Sequence, residues 1–226
     1  MPERFVASIT AAFFITIISA IITHYYTSND RTNKQVMRQQ VFQRSTGAVL
    51  LVIAAIAWLF YPYYSRPWQV SLLGLYLSVF IAVIRIDVLQ RRVYRQMAAA
   101  GGLLSVLLGL IHAQAAQMLI SSALALVIFG FVYQNGLRYA GRRDGATDGS
   151  AFGLGDAILG VALAPPLVPA SISYYAVLFL GIALATAGIK IVRQKANWRT
   201  VGPIPLAPAL VSAQLIVLYA QLAKII

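Results

Sequence analysis

The chain of 226 residues is 60% hydrophobic, carries 18 Lys and Arg against six Asp and Glu for a net charge of +12, and has no cysteine. A mean hydropathy of +0.76 leaves too little polar surface for a soluble domain of this length and marks a polytopic membrane protein. Disulfides, thiolate metal sites and an HExxH zinc motif are excluded, since Glu3 is the only glutamate, and the positive charge reads as basic membrane-flanking loops, not a nucleic-acid surface.

Apolar run lengths predict an all-α membrane protein with eight helices, at about 5–25, 45–63, 68–86, 97–112, 115–135, 153–168, 171–192 and 205–224. They form a single membrane domain, in which 1–69 holds the N-terminal helices and a short basic loop and 70–226 the core. The first run is too long for a cleaved signal peptide, and its positive charges follow it. Arg31, Lys34, Arg38 and Arg44 lie between the first two spans; Arg85, Arg91, Arg92 and Arg95 flank the end of the third. Arg138, Arg142 and Arg143 follow the fifth, and Lys190, Arg193, Lys195 and Arg199 the seventh. Only Arg4, Arg66 and Lys224 fall on the opposite side, so the positive-inside rule puts the basic loops in the cytoplasm of a cell-membrane protein and both termini outside. Tyr61, Tyr63, Tyr64 and Trp68 are then expected to form an aromatic belt at the outer interface. The fourth and sixth spans are short, and Pro165, Pro166 and Pro169 are expected to end the sixth.

Four of the six acids, Glu3, Asp30, Asp144 and Asp148, sit in loops or near the N-terminus, where solvated charge needs no explanation. Asp87 and Asp156 are different: each stands at the cytoplasmic edge of an apolar span, where an ionisable group is costly and points to function. Taken alone, Asp87 fits an i,i+4 ion pair with Arg91, and Asp156 fits a helix N-cap. Taken together on one membrane face, they fit a dyad in which one carboxyl keeps a proton while the other acts as base. Gly153 and Gly155, lacking side chains, are expected to let a substrate strand lie against Asp156.

Gly153-Leu154-Gly155-Asp156 resembles the GxGD signature of membrane aspartic proteases. Residues 87–94, DVLQRRVY, are similar to the first-aspartate motif D-x-x-x-R-R-[IV]-P-N of the prepilin and preflagellin peptidases, and Ile204-Pro205-Leu206-Ala207-Pro208 is similar to their I-P-F-G-P. The order of these segments and the 69 residues between the aspartates also match. The resemblance implies a membrane endopeptidase that removes the short basic leader of type IV pilin-like precursors, with Asp87 and Asp156 catalytic and no metal or other cofactor. Gly153, Gly155, Arg91, Arg92, Pro205 and Pro208 would support the motif. The expected partners are a membrane-anchored precursor and the bilayer, not nucleic acid.

The chain departs from the family at Tyr94-Arg95, where Pro-Asn is usual, and at Ile158, where a lysine is usual, and both changes bear on substrate preference. It also lacks the cysteine-rich cytoplasmic insert of the larger members, which implies no zinc and no methyltransferase activity. Presenilin and signal peptide peptidase share GxGD, and Pro208-Ala209-Leu210 matches their PAL triplet, but their aspartates lie on adjacent helices. A catalytically degenerate homologue serving in membrane assembly is the non-enzymatic alternative.

Overall fold

The computed structural model of the chain describes residues 58–64, 66–90, 93–141, 153–194 and 204–226, with isolated helical positions at 17, 18, 21, 55 and 56. Every regular element among the described residues is helical: a 3₁₀ turn at Tyr61–Tyr63, then α1 (Pro67–Gln90), α2 (Arg95–His112), α3 (Ala115–Gly141), α4 (Leu154–Ala162), α5 (Ser171–Gln194) and α6 (Ala207–Leu222). The chain divides into two compact units, Met1–Ile86 and Asp87–Ile226, with the boundary falling inside α1.

Four helices are long and apolar enough to cross a membrane, over Trp68–Val88, Arg95–His112, Ala115–Gly136 and Ser171–Arg193, and α6 is a shorter apolar helix. These agree with the predicted third, fourth, fifth, seventh and eighth helices to within a few residues. All but three positions of the first predicted helix, and 11 of the 19 residues of the second, lie outside the described residues. The predicted sixth, 153–168, is realised only as α4, nine residues long. At 1.5 Å per residue this is about 14 Å, too short to cross a hydrocarbon core of about 30 Å.

Why α4 stops is visible in the chain. Pro165 and Pro166 have no amide hydrogen to give to the carbonyls of Val161 and Ala162, so the helical ladder fails there. The turns that follow are mostly buried, and side chains of neighbouring helices satisfy their backbone. Ser121 of α3 donates its hydroxyl to the Leu167 carbonyl at 2.7 Å. The Val168 amide donates to Gln221 Oε1 at 2.9 Å, and Gln221 Nε2 donates to the Pro166 carbonyl at 3.4 Å. Irregular backbone is tolerated among apolar helices only where such partners exist.

In the first unit, α1 buries Leu73, Tyr76, Leu77, Phe80 and Val83 at helical spacing, and the rings of Tyr76 and Phe80 pack at 4.6 Å. The expected aromatic belt is only partly realised. Trp68 is exposed, but Tyr64 is 1% accessible and faces Phe60 at 6.5 Å. Burial pushes the Tyr64 phenol well above its ordinary value. A tyrosine next to a span can turn inward as readily as toward lipid.

The second unit is built around α4, which packs against α2 and α3 and touches α6, while α5 and α6 pair with each other. Its centre is an aromatic cluster: the Phe129 ring lies 5.4 Å from Tyr175 and 5.8 Å from Phe179. The Tyr175 hydroxyl donates to the Gly160 carbonyl at 3.4 Å. A Cβ on Gly160 would meet the Phe129 ring at 2.8 Å. Phe129 is 1% accessible and held by two other rings, so it has no room to retreat. Gly160→Ala is therefore expected to lower stability by about 1–3 kcal/mol through overpacking. Gly130→Ala and Gly181→Ala, whose added methyls would meet nothing within 4 Å, are expected to cost nothing. Thermal unfolding midpoints of the three variants in detergent check the contrast.

Candidate active site

Asp87 belongs to the last turn of α1, the end of a helix where the dipole disfavours an anion. It is 4% accessible, so its charge needs a partner. The chain supplies one from 120 residues away: the Ala207 amide donates to Asp87 Oδ2 at 2.9 Å. Ala207 opens α6, whose own N-cap residue, Leu206, provides no side-chain hydrogen bond. Asp87 thus caps α6 from another element, satisfying an amide that would otherwise be orphaned. Pro205 precedes this point and Pro208 stands in the first turn, where a missing amide hydrogen costs nothing. The segment resembling I-P-F-G-P is in this way brought to the first aspartate.

Asp156 occupies the third position of α4. Gly153 is the N-cap, with extended φ −77° and ψ 160°, and its amide donates to Asp156 Oδ2 at 3.1 Å. The aspartate is therefore not the N-cap itself but the reciprocal member of a capping arrangement. Burial pushes its carboxyl up to about 6; the neighbouring Asp87 charge adds to the rise, and the Gly153 amide opposes it. The two carboxylates sense each other.

A Cβ on Gly155 would lie 2.9 Å from the Val93 carbonyl oxygen and 3.0 Å from Val93 Cβ. At Gly155 this close approach is made by the protein's own 93–94 link, which locks the first turn of α4 against the start of α2. Gly153 is less tightly held, with Asp156 Oδ2 at 3.3 Å from its would-be Cβ.

Asp87, Asp156, Gly153, Gly155, Val93, Tyr94 and Arg95 line one cavity of about 370 Å³, within the range of small-ligand and peptide-side-chain pockets. Three helix N-termini face this site: α2 through Tyr94 and Arg95, α4 through Gly153 to Asp156, and α6 through the Ala207 amide. Their partial positive ends offset the negative charge of the pair. Of the residues expected from sequence, the two aspartates and the two glycines meet here, Pro205 and Pro208 position Ala207, and Arg91 and Arg92 lie outside the described residues. The Ala207 amide and the Val93 carbonyl carry no signal in the sequence, whereas Tyr94 and Arg95 stand where the chain has no Pro-Asn. Among the described residues no three His, Cys, Asp or Glu side chains cluster as a metal site would require. No family model, curated protein or solved structure matches the chain.

Proposed function

We propose that this protein is a membrane aspartic endopeptidase that cuts the short leader from pilin-like precursors at the cytoplasmic face of the cell membrane. The observation that carries this reading is the pair Asp87 and Asp156, electrostatically coupled in one cavity at the ends of different helices. The concentration of Lys and Arg in the loops expected on the same side supports the cytoplasmic orientation.

In this reading Asp156, the carboxyl raised by burial, holds the shared proton, and Asp87 is the base. Asp87 takes a proton from a water molecule as its oxygen attacks the scissile carbonyl carbon. Asp156 gives its proton to the carbonyl oxygen, yielding a neutral gem-diol. The proton then on Asp87 passes to the amide nitrogen, the C–N bond breaks, and Asp156 recovers a proton from a diol hydroxyl as the new carboxyl group forms. Both acids are back in their starting states.

The test is purified protein with a membrane-anchored pilin-like precursor, read as a single cut at the leader junction. Because the acid must be protonated, kcat/KM is expected to fall as pH rises through about 6, where Asp156 loses its proton. Initial rates from pH 5 to 8 check the sign. A rate that climbs through that range would make Asp156 the base, and no cut in any such precursor would favour an assembly role.

A further inference from the structure

Arg95 is the first residue of α2, directly after the N-cap Tyr94, whose backbone is extended at φ −74° and ψ 127°. It is exposed and lines the cavity that holds both carboxylates. A cation beside two anions ordinarily collapses onto them. Here Asp87 Oδ2 accepts from the Ala207 amide and Asp156 Oδ2 from the Gly153 amide. No hydrogen bond or ion pair ties the Arg95 side chain to any of the described residues. Its place on α2 is also the wrong end for a cation, since a helix N-terminus favours anions. Both features favour a carboxylate at this point, which would pair with the guanidinium fork and meet the favourable end of the helix at once.

We propose that Arg95 is a specificity-determining residue that receives a carboxylate side chain of the substrate, close in sequence to the bond that is cut. The inference rests on the endopeptidase reading of the cavity. A cavity of about 370 Å³ is roughly 9 Å across, and extended chain advances about 3.3 Å per residue, so the acidic residue lies within about three residues of the scissile bond.

The experiment uses a series of membrane-anchored precursors with Glu, Gln or Lys at each of the three positions on either side of that bond. The parent protein, Arg95→Gln and Arg95→Glu are compared in phosphatidylcholine vesicles, with KM and kcat separated. Binding of the same fluorescently labelled precursors is measured in parallel. At one or more positions the parent is expected to show a KM for Glu at least about tenfold below that for Lys, with kcat changed less than twofold. Arg95→Glu is expected to reverse that order and Arg95→Gln to flatten it. An unchanged Glu-to-Lys ratio in all three proteins overturns the proposal. Charge preference in binding that follows residue 95 without any cleavage upholds the carboxylate site and overturns the peptidase reading; neither cleavage nor charge-dependent binding overturns both.

Discussion

Asp87→Asn and Asp156→Asn are each expected to reduce leader cleavage at least about 10³-fold, within the range that a general acid or base contributes. Either change leaves one carboxyl to act as both base and acid, which it cannot do within one step. Folding should survive in both variants, because an amide oxygen still accepts from Ala207 at position 87 and from Gly153 at position 156. Asp156→Asn has a second, opposite consequence. The folded-state carboxyl is raised from 3.8 to about 6, so its contribution to stability is complete below about pH 4 and is lost as pH rises through about 6. Removing the ionisable group removes that loss. The variant should match the parent in heat resistance at pH 4 and exceed it at pH 8, while being inactive throughout. Unfolding midpoints at the two pH values, beside precursor-processing rates, read both effects. Near-parental cleavage by either variant would end the dyad mechanism.

The same pair shows how far the sequence could be read. In a chain with six acids, the cost of charge near lipid singles out Asp87 and Asp156 before any geometry is known. The positions of α1, α2, α3, α5 and α6 are equally legible, because each follows an apolar run whose length the bilayer dictates. Pro205 and Pro208 mark the start of α6 for a local reason, the missing amide hydrogen. What the sequence could not show is which backbone group meets which carboxylate. The Ala207 amide that holds Asp87 has no side-chain identity to betray it, and the contact joins residues 120 positions apart. Similarly, Gly155 announces a close approach but not its source, and a substrate strand and the Val93 carbonyl would leave the same letter in the chain. The early end of α4 was half legible. The prolines predict a stop, but how many turns precede it depends on whether Ser121 and Gln221 are at hand to satisfy the backbone beyond it.

Gly155→Ala is expected to cost about 10²-fold in kcat/KM while reducing stability far less than Gly160→Ala does. The added methyl would meet the Val93 carbonyl oxygen at 2.9 Å, and that oxygen is backbone, with no rotamer to change. Either the first turn of α4 withdraws or the 93–94 link does. Withdrawal of α4 carries Asp156 away from Asp87, and a displacement near 1 Å is enough for a loss of about 10²-fold. Withdrawal of the link moves Tyr94 and Arg95, which line the same cavity, and so raises KM more than it lowers kcat. The stability cost is smaller because Gly155 is partly accessible at the edge of the fold, whereas Gly160 faces a ring with no freedom to move. Gly153→Ala provides the internal comparison: its methyl would crowd Asp156 Oδ2, at 3.3 Å, and touch the Gly155 nitrogen at an ordinary 4.0 Å, and a carboxylate can rotate by the few tenths of an ångström required. Ranked by activity, the order should be parent, then Gly153→Ala, then Gly155→Ala. Kinetics of the three on one precursor decide it, and a fall in kcat with KM unchanged for Gly155→Ala would place the movement in α4 and the damage in the dyad itself.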